Sequence, residues 1–167
     1  MTLRRAALFG FEEKLEWGEE GEKAVASWLI SRGVSVAPLY QFKNHDKAPI
    51  LMTKEKSLTL PDLTCWHDGQ NYFVECKRKN QWVSFKGVIE IGLDQRHFDQ
   101  YCDIKKQTGQ KVFIFFVHEN KDPGIYFQEI DVLKLKIRRW DGRKPNGDYI
   151  MRPMALFPKN TLTLARI

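Results

Sequence analysis

The chain has 167 residues, 43% apolar and 13% aromatic, with 27 basic against 21 acidic side chains and a formal charge of +6. That length favours a single domain with a sizeable core, and no apolar run approaches the roughly 20 residues needed to span a bilayer. Behind Met1-Thr2-Leu3-Arg4-Arg5 there is no apolar segment with a small-residue cleavage site, so no secretory signal is expected. Three widely spaced cysteines, Cys65, Cys76 and Cys102, with no C-x-x-C or H-x-x-x-H pair, read as reduced, core-filling thiols of a cytoplasmic protein rather than a zinc site.

The first predicted helix runs from about Glu19 to Arg32, with Ala24, Val25, Trp28 and Leu29 as its core stripe and Gly33 as its stop. A strand interrupted by Pro38 follows over residues 34–42. Residues 43–60, polar and carrying four lysines, read as a loop or short hairpin excursion. Beyond a strand pair at 62–77, residues 80–93 look irregular. A second helix over about Asp94 to Thr108 places Phe98, Tyr101 and Cys102 on one face and closes at Gly109. The nearly continuous apolar run Lys111–Val117 suits a strand buried on both faces. A turn over Asn120 to Gly124 and a strand over Ile125–Ile130 come next. The tail from Trp140, with Asp-Gly and Pro-Asn-Gly turn signals, reads as a loop with a short final strand or two.

The chemistry concentrates at 61–77. Asp68-Gly69 is the preferred pair for a two-residue type I′ turn, and it lies between runs rich in β-branched and aromatic residues. With that turn, His67 faces Gln70, and pairing outward brings Asp62 opposite Glu75. Opposed like charges in a hairpin destabilise it, so the pair is better tolerated with a cation between the two groups. Lys77 lies two residues past Glu75 and points to the same face, while Tyr72, Val74 and Cys76 fill the other. Two carboxylates and an ammonium on one face suit metal-dependent phosphate chemistry. On the first helix Glu22 falls in register with Leu29 and points toward the sheet. It can alternatively serve, like Glu19 and Glu20, to complement the helix dipole.

Pro61-Asp62 followed by Glu75-Cys76-Lys77 resembles the signature of the PD-(D/E)xK nuclease superfamily, and the order of elements from Glu19 to about Ile130 is similar to its restriction endonuclease-like αβββαβ core. The resemblance implies an α/β fold with a central mixed sheet flanked by helices. It covers about 18–137 of a single nuclease domain, with 138–167 as a basic extension. The branch it is most similar to is that of the Holliday junction resolvases. That implies a Mg²⁺-dependent endonuclease (Mn²⁺ substituting) on branched or structured DNA, as a homodimer. Asp62 and Glu75 would hold the ion, joined by the Cys76 carbonyl and by Glu22. Lys77 would position or deprotonate the attacking water or stabilise phosphate oxygens, and Gln95 on the second helix would support the site or serve simply as a buried hydrogen-bonded amide. A restriction-type, repair or exonuclease activity, or a DNA-binding module without turnover, stays open on the same fold.

Nine basic residues against Asp141 and Asp148 make residues 134–166 net +7, while the remainder is net −1. This suits the tail, Arg138, Arg139, Arg143 and Lys144 among it, to backbone contact with DNA, with a solvated face or a dimerisation arm as the alternatives. Truncation near Trp140, provided the fold survives it, is then expected to weaken DNA binding and flatten its salt dependence. Arg78, Lys79 and Lys86, interleaved with Trp82 and Phe85, suit phosphate contacts and base stacking. Trp82 can equally be a core or dimer-interface residue.

Overall fold

A computed structural model describes residues 20–39, 49–137, 139–143 and 149–166. Helix α1 (Glu20–Ser31) leads into strand β1 (Ser35–Pro38) through Gly33, whose φ of 84° lies in the left-handed region that ends helices. A small hairpin, β2 (Ile50–Met52) and β3 (Ser57–Thr59), forms the described part of the expected excursion. Strands β4 (Leu63–His67) and β5 (Gln70–Lys79) follow. Their turn has φ of 49° at Asp68 and 73° at Gly69, the positive pair that a type I′ turn requires. The register is the expected one, from His67 opposite Gln70 to Leu63 opposite Val74.

The stretch expected to be irregular is instead a hairpin, β6 (Val83–Phe85) and β7 (Val88–Asp94). Helix α2 (Gln95–Thr108) starts at Asp94, whose carboxylate accepts from the Arg96 N–H at 2.9 Å, and ends at Gly109. Strands β8 (Lys111–His118) and β9 (Gly124–Glu129) precede a helix absent from the sequence expectation, α3 (Ile130–Lys136). The C-terminal segment forms β10 (Arg139–Arg143), the ten-residue β11 (Tyr149–Pro158), a 3₁₀ turn (Lys159–Thr161) and β12 (Thr163–Ala165).

The central sheet has six strands in the order β1-β4-β5-β8-β9-β12. It is mixed, because β5 and β8 are parallel and the other neighbours antiparallel. A second, antiparallel sheet has the order β10-β11-β7-β6. The tail is therefore woven into both sheets: β12 pairs with β9, and β11 pairs with β7.

Strand alternation on β5 divides the core. Val74 and Cys76 point to the side where α1 packs Val25, Ala26 and Leu29. Phe73 points to the other side, where Phe98, Tyr101 and Ile104 of α2 meet Leu133 of α3 and Ile91, Leu93 and Phe157 of the second sheet. At the contact of β7 with β11 the backbones come very close, since a Cβ on Gly92 would lie 2.2 Å from the Ala155 carbonyl oxygen.

Candidate active site

Unequal strand lengths make the site. β4 ends its pairing at Leu63, opposite Val74, whereas β5 runs on to Lys79. On that side Glu75 to Lys79 therefore lie beyond the end of β4, and a backbone N–H there needs another acceptor. Asp62 supplies it. Its Oδ2 accepts from the Cys76 N–H at 2.8 Å, while its own carbonyl accepts from Leu39 N at 2.8 Å. Ladder pairing thus stops one residue short of the expected opposition of Asp62 and Glu75. Asp62 leaves the ladder and folds its carboxylate onto β5 beside Glu75.

Glu75 is only 3% exposed and forms an ion pair with the ammonium of Lys77, which shares its face. Glu22 is also buried, in the first turn of α1, so it does more than dress a solvent-exposed helix end. Asp62, at the entry to β4, feels the acids of both α1 and β5. Burial first, then the charges of Glu75 and Glu22, push the Asp62 carboxyl up to about 8, against the lowering effects of the Cys76 N–H and Lys77. Burial alone would lower the Lys77 ammonium, but Glu75 and Asp62 outweigh it and the net shift is upward. Lys79 is lowered by burial and by Lys77. The thiol of Cys76 is pushed well up by burial and the surrounding acids, so it stays neutral.

Among the described residues, no three His, Cys, Asp or Glu side chains are gathered closely enough to hold a metal ion as they lie. Coulomb coupling reaches much farther than a ligand bond of about 2.0–2.1 Å to Mg²⁺, so the two observations agree. The acids are neighbours, with Glu75 engaged by Lys77 and Asp62 by the Cys76 N–H. In chemistry the donor set fits a hard divalent cation: it offers carboxylate oxygens whose crowding already disfavours their common ionisation.

The remaining expected residues sit as follows. Gln95 is half-buried in the first turn of α2, and no contact joins it to Asp62 or Glu75 among the described residues. Arg78 pairs with Glu119 and reaches Glu20 at 3.6 Å, and its stem lies over Gly21. It fastens α1 to the sheet. Lys79 is half-buried, and Lys86 is exposed at the tip of the β6–β7 hairpin. Arg138 and Lys144 lie outside the described residues. Arg139 and Arg143 are placed by their backbone only, opposite Leu156 and Tyr149.

Trp82 belongs to the core side of its alternatives. Its ring stacks on His118 at 4.5 Å, meets Tyr126 edge-on at 5.0 Å, and its Nε1 donates to the Lys121 carbonyl at 2.9 Å. His118, for which the sequence offered no pairing logic, is the buried base of this stack and is held through Nδ1 by the Asn120 carbonyl at 2.8 Å. An apolar run ending in histidine beside a tryptophan at a strand exit was the only signal for it.

The solved structure of Hjc, a Holliday junction resolvase from the archaeal hyperthermophile Archaeoglobus fulgidus, matches this chain with a TM-score of 0.51 at 9% identity, covering 84% of this chain and 88% of the resolvase. No family model and no curated protein matches the chain. At that identity the likeness is one of fold: this chain shares the mixed α/β architecture of that structure.

Proposed function

We propose that this chain is a divalent-metal-dependent deoxyribonuclease that cuts phosphodiester bonds in branched DNA. The observation that carries the reading is the gap beyond β4, where Asp62 folds onto the Cys76 N–H beside the Glu75–Lys77 pair with Glu22 buried close by. The resolvase-like fold supports it. On this reading α1, β1, β4, β5, α2 and β8 are the αβββαβ core of the PD-(D/E)xK superfamily, and the remaining strands are additions.

Asp62, Glu75, Glu22 and the Cys76 carbonyl are the groups that would hold Mg²⁺ or Mn²⁺. The ion would supply Lewis acidity to the phosphate and acidify a bound water. Asp62 must give up its proton for this, so loading is linked to pH. Lys77 stays protonated beside Glu75, which suits it to neutralise charge on phosphate oxygens rather than to take a proton from water. Arg139, Arg143, Arg138, Lys144, Lys79 and Lys86 track the DNA backbone, and two copies of the chain act together so that paired cuts are placed symmetrically.

The test incubates purified protein and Mg²⁺ with a four-way junction, a flap, a single strand and a linear duplex. Paired symmetric nicks in the junction are expected. Resection from ends would move the reading to an exonuclease, and binding without cutting would remove the enzyme.

A further inference from the structure

We infer that the β6–β7 hairpin is a wedge for unpaired nucleotides at the DNA branch, an inference that rests on the DNA-cutting reading above and adds how the branch is held open. Three residues, Asn80 to Trp82, join the hairpin to β5, the strand that carries Glu75 and Lys77. Its root is fixed by Trp82, packed between His118 and Tyr126 and hydrogen-bonded to Lys121. Its tip is a two-residue turn with φ of 48° at Lys86 and 76° at Gly87. Beyond the root the strands carry apolar side chains into solvent: Val83 is 39%, Phe85 38% and Ile89 44% exposed. β6 is also the edge of its sheet. Val83 and Phe85 share one face of the hairpin and Ile89, opposite Ser84, lies on the other, so both faces of this edge carry exposed apolar side chains, which otherwise invite aggregation and mark a binding element.

Charge selects the occupant. Of the four basic residues from Lys77 through Ile89, Lys77 and Arg78 are engaged by Glu75 and Glu119, which leaves half-buried Lys79 and the exposed ammonium of Lys86, and the next acid along the chain, Glu90, is fully buried. The ammonium of Lys86 sits 5.5 Å from the Phe85 ring, so the tip joins a cation to an aromatic face. Phosphate and base stacking need that pairing. A three-residue strand rises about 10 Å, equal to about three base steps at 3.4 Å each. Behind the hairpin, Val88 and Ile89 form one wall of a cleft of about 550 Å³ that Tyr126, Lys159 and Asn160 close on the other side. The volume lies within the range of ligand clefts, roughly 300–1,000 Å³. The Lys159 ammonium is held there by Asp122 at 2.9 Å and lies over the Trp82 and Tyr126 rings, so the cleft offers a displaced nucleotide an aromatic and apolar wall with the Asn160 amide, while Phe85 takes its place in the stack.

The experiment uses a four-way junction with 2-aminopurine beside the branch, titrated in EDTA so that no cleavage occurs, and follows the fluorescence rise that accompanies unstacking. The full chain should produce the rise. Phe85→Ser and Ile89→Thr, both at exposed positions, should cut its amplitude at least fivefold. The same variants should weaken affinity tenfold or more on the paired junction, and threefold or less on a junction already unpaired at its centre. Equal losses on both DNAs, or an undiminished rise, would overturn the inference. So would a change in oligomeric state by light scattering, which would assign the patch to a second copy. Because the readout needs no cutting, a chain that unstacks the branch yet never cleaves it would sink the nuclease reading alone.

Discussion

Replacing Asp62 by Asn in the metal-free protein should make the fold more stable at alkaline pH and leave it nearly unchanged in acid. The folded Asp62 carboxyl titrates near 8 against an ordinary 3.8. Between those values the folded state binds a proton that the unfolded state has lost, so unfolding free energy falls as pH rises through the window. Four pKa units at 1.36 kcal/mol each set a ceiling of about 5–6 kcal/mol. Asp62 keeps some contact with water, which reduces the realised span to about 2–3 kcal/mol. Asparagine keeps an acceptor for the Cys76 N–H but has no charge to repel Glu75 and Glu22. Urea unfolding in EDTA at pH 4.5, 6, 7.5 and 9 should show the wild type losing stability relative to Asp62→Asn across the series. Parallel pH profiles would refute the claim that burial and the neighbouring acids hold the Asp62 carboxyl above its ordinary range.

Other substitutions test separate parts of the account. Lys77→Ala should lower turnover on a junction by roughly 10²–10³-fold, in the manner of a lost transition-state donor, with divalent-ion affinity changed less than threefold; an equal loss of ion binding would make Lys77 a structural support for Glu75. Mg²⁺ binding at pH 6.5 should release close to one proton and at pH 9 almost none, read by calorimetry in buffers of different ionisation enthalpy, and pH-independent release would separate Asp62 from the ion. Gly92→Ala should cost more than about 3 kcal/mol or prevent folding, since its Cβ would meet the Ala155 carbonyl oxygen at 2.2 Å; near-normal urea stability would mean that β7 and β11 part easily.

The strands that carry the site were legible because their cues are local. The Asp68-Gly69 turn fixes a register, and alternation then assigns every side chain from His67 to Lys77 to a face. What the sequence hid was the end of β4. Nothing in Pro61-Asp62-Leu63 says that pairing stops one residue short of Asp62 and lets it cap a lone N–H. α3 was hidden for another reason. Ile130, Val132, Leu133, Leu135 and Ile137 alternate almost as a strand would, and only burial of Ile130 and Leu133 with Leu135 84% exposed shows the helical spacing. The β6–β7 hairpin keeps its apolar residues partly in solvent, so its pattern does not report a core. The basic tail was read as an appendage, yet β11 and β12 are strands of the two sheets. Truncation near Trp140 would remove those strands and unfold the chain, so charge removal at Arg139 and Arg143 is the sound way to ask about DNA.

The central claim is that acids from α1, the entry to β4 and β5 serve one divalent ion. It is tested most directly by titrating Mn²⁺ and following its free electron paramagnetic resonance signal with the wild type and with Glu22→Gln, Asp62→Asn and Glu75→Gln. The account predicts one tight site in the wild type, weakened at least tenfold by each substitution. Equal Mn²⁺ uptake by all four proteins, or none by the wild type, would contradict it.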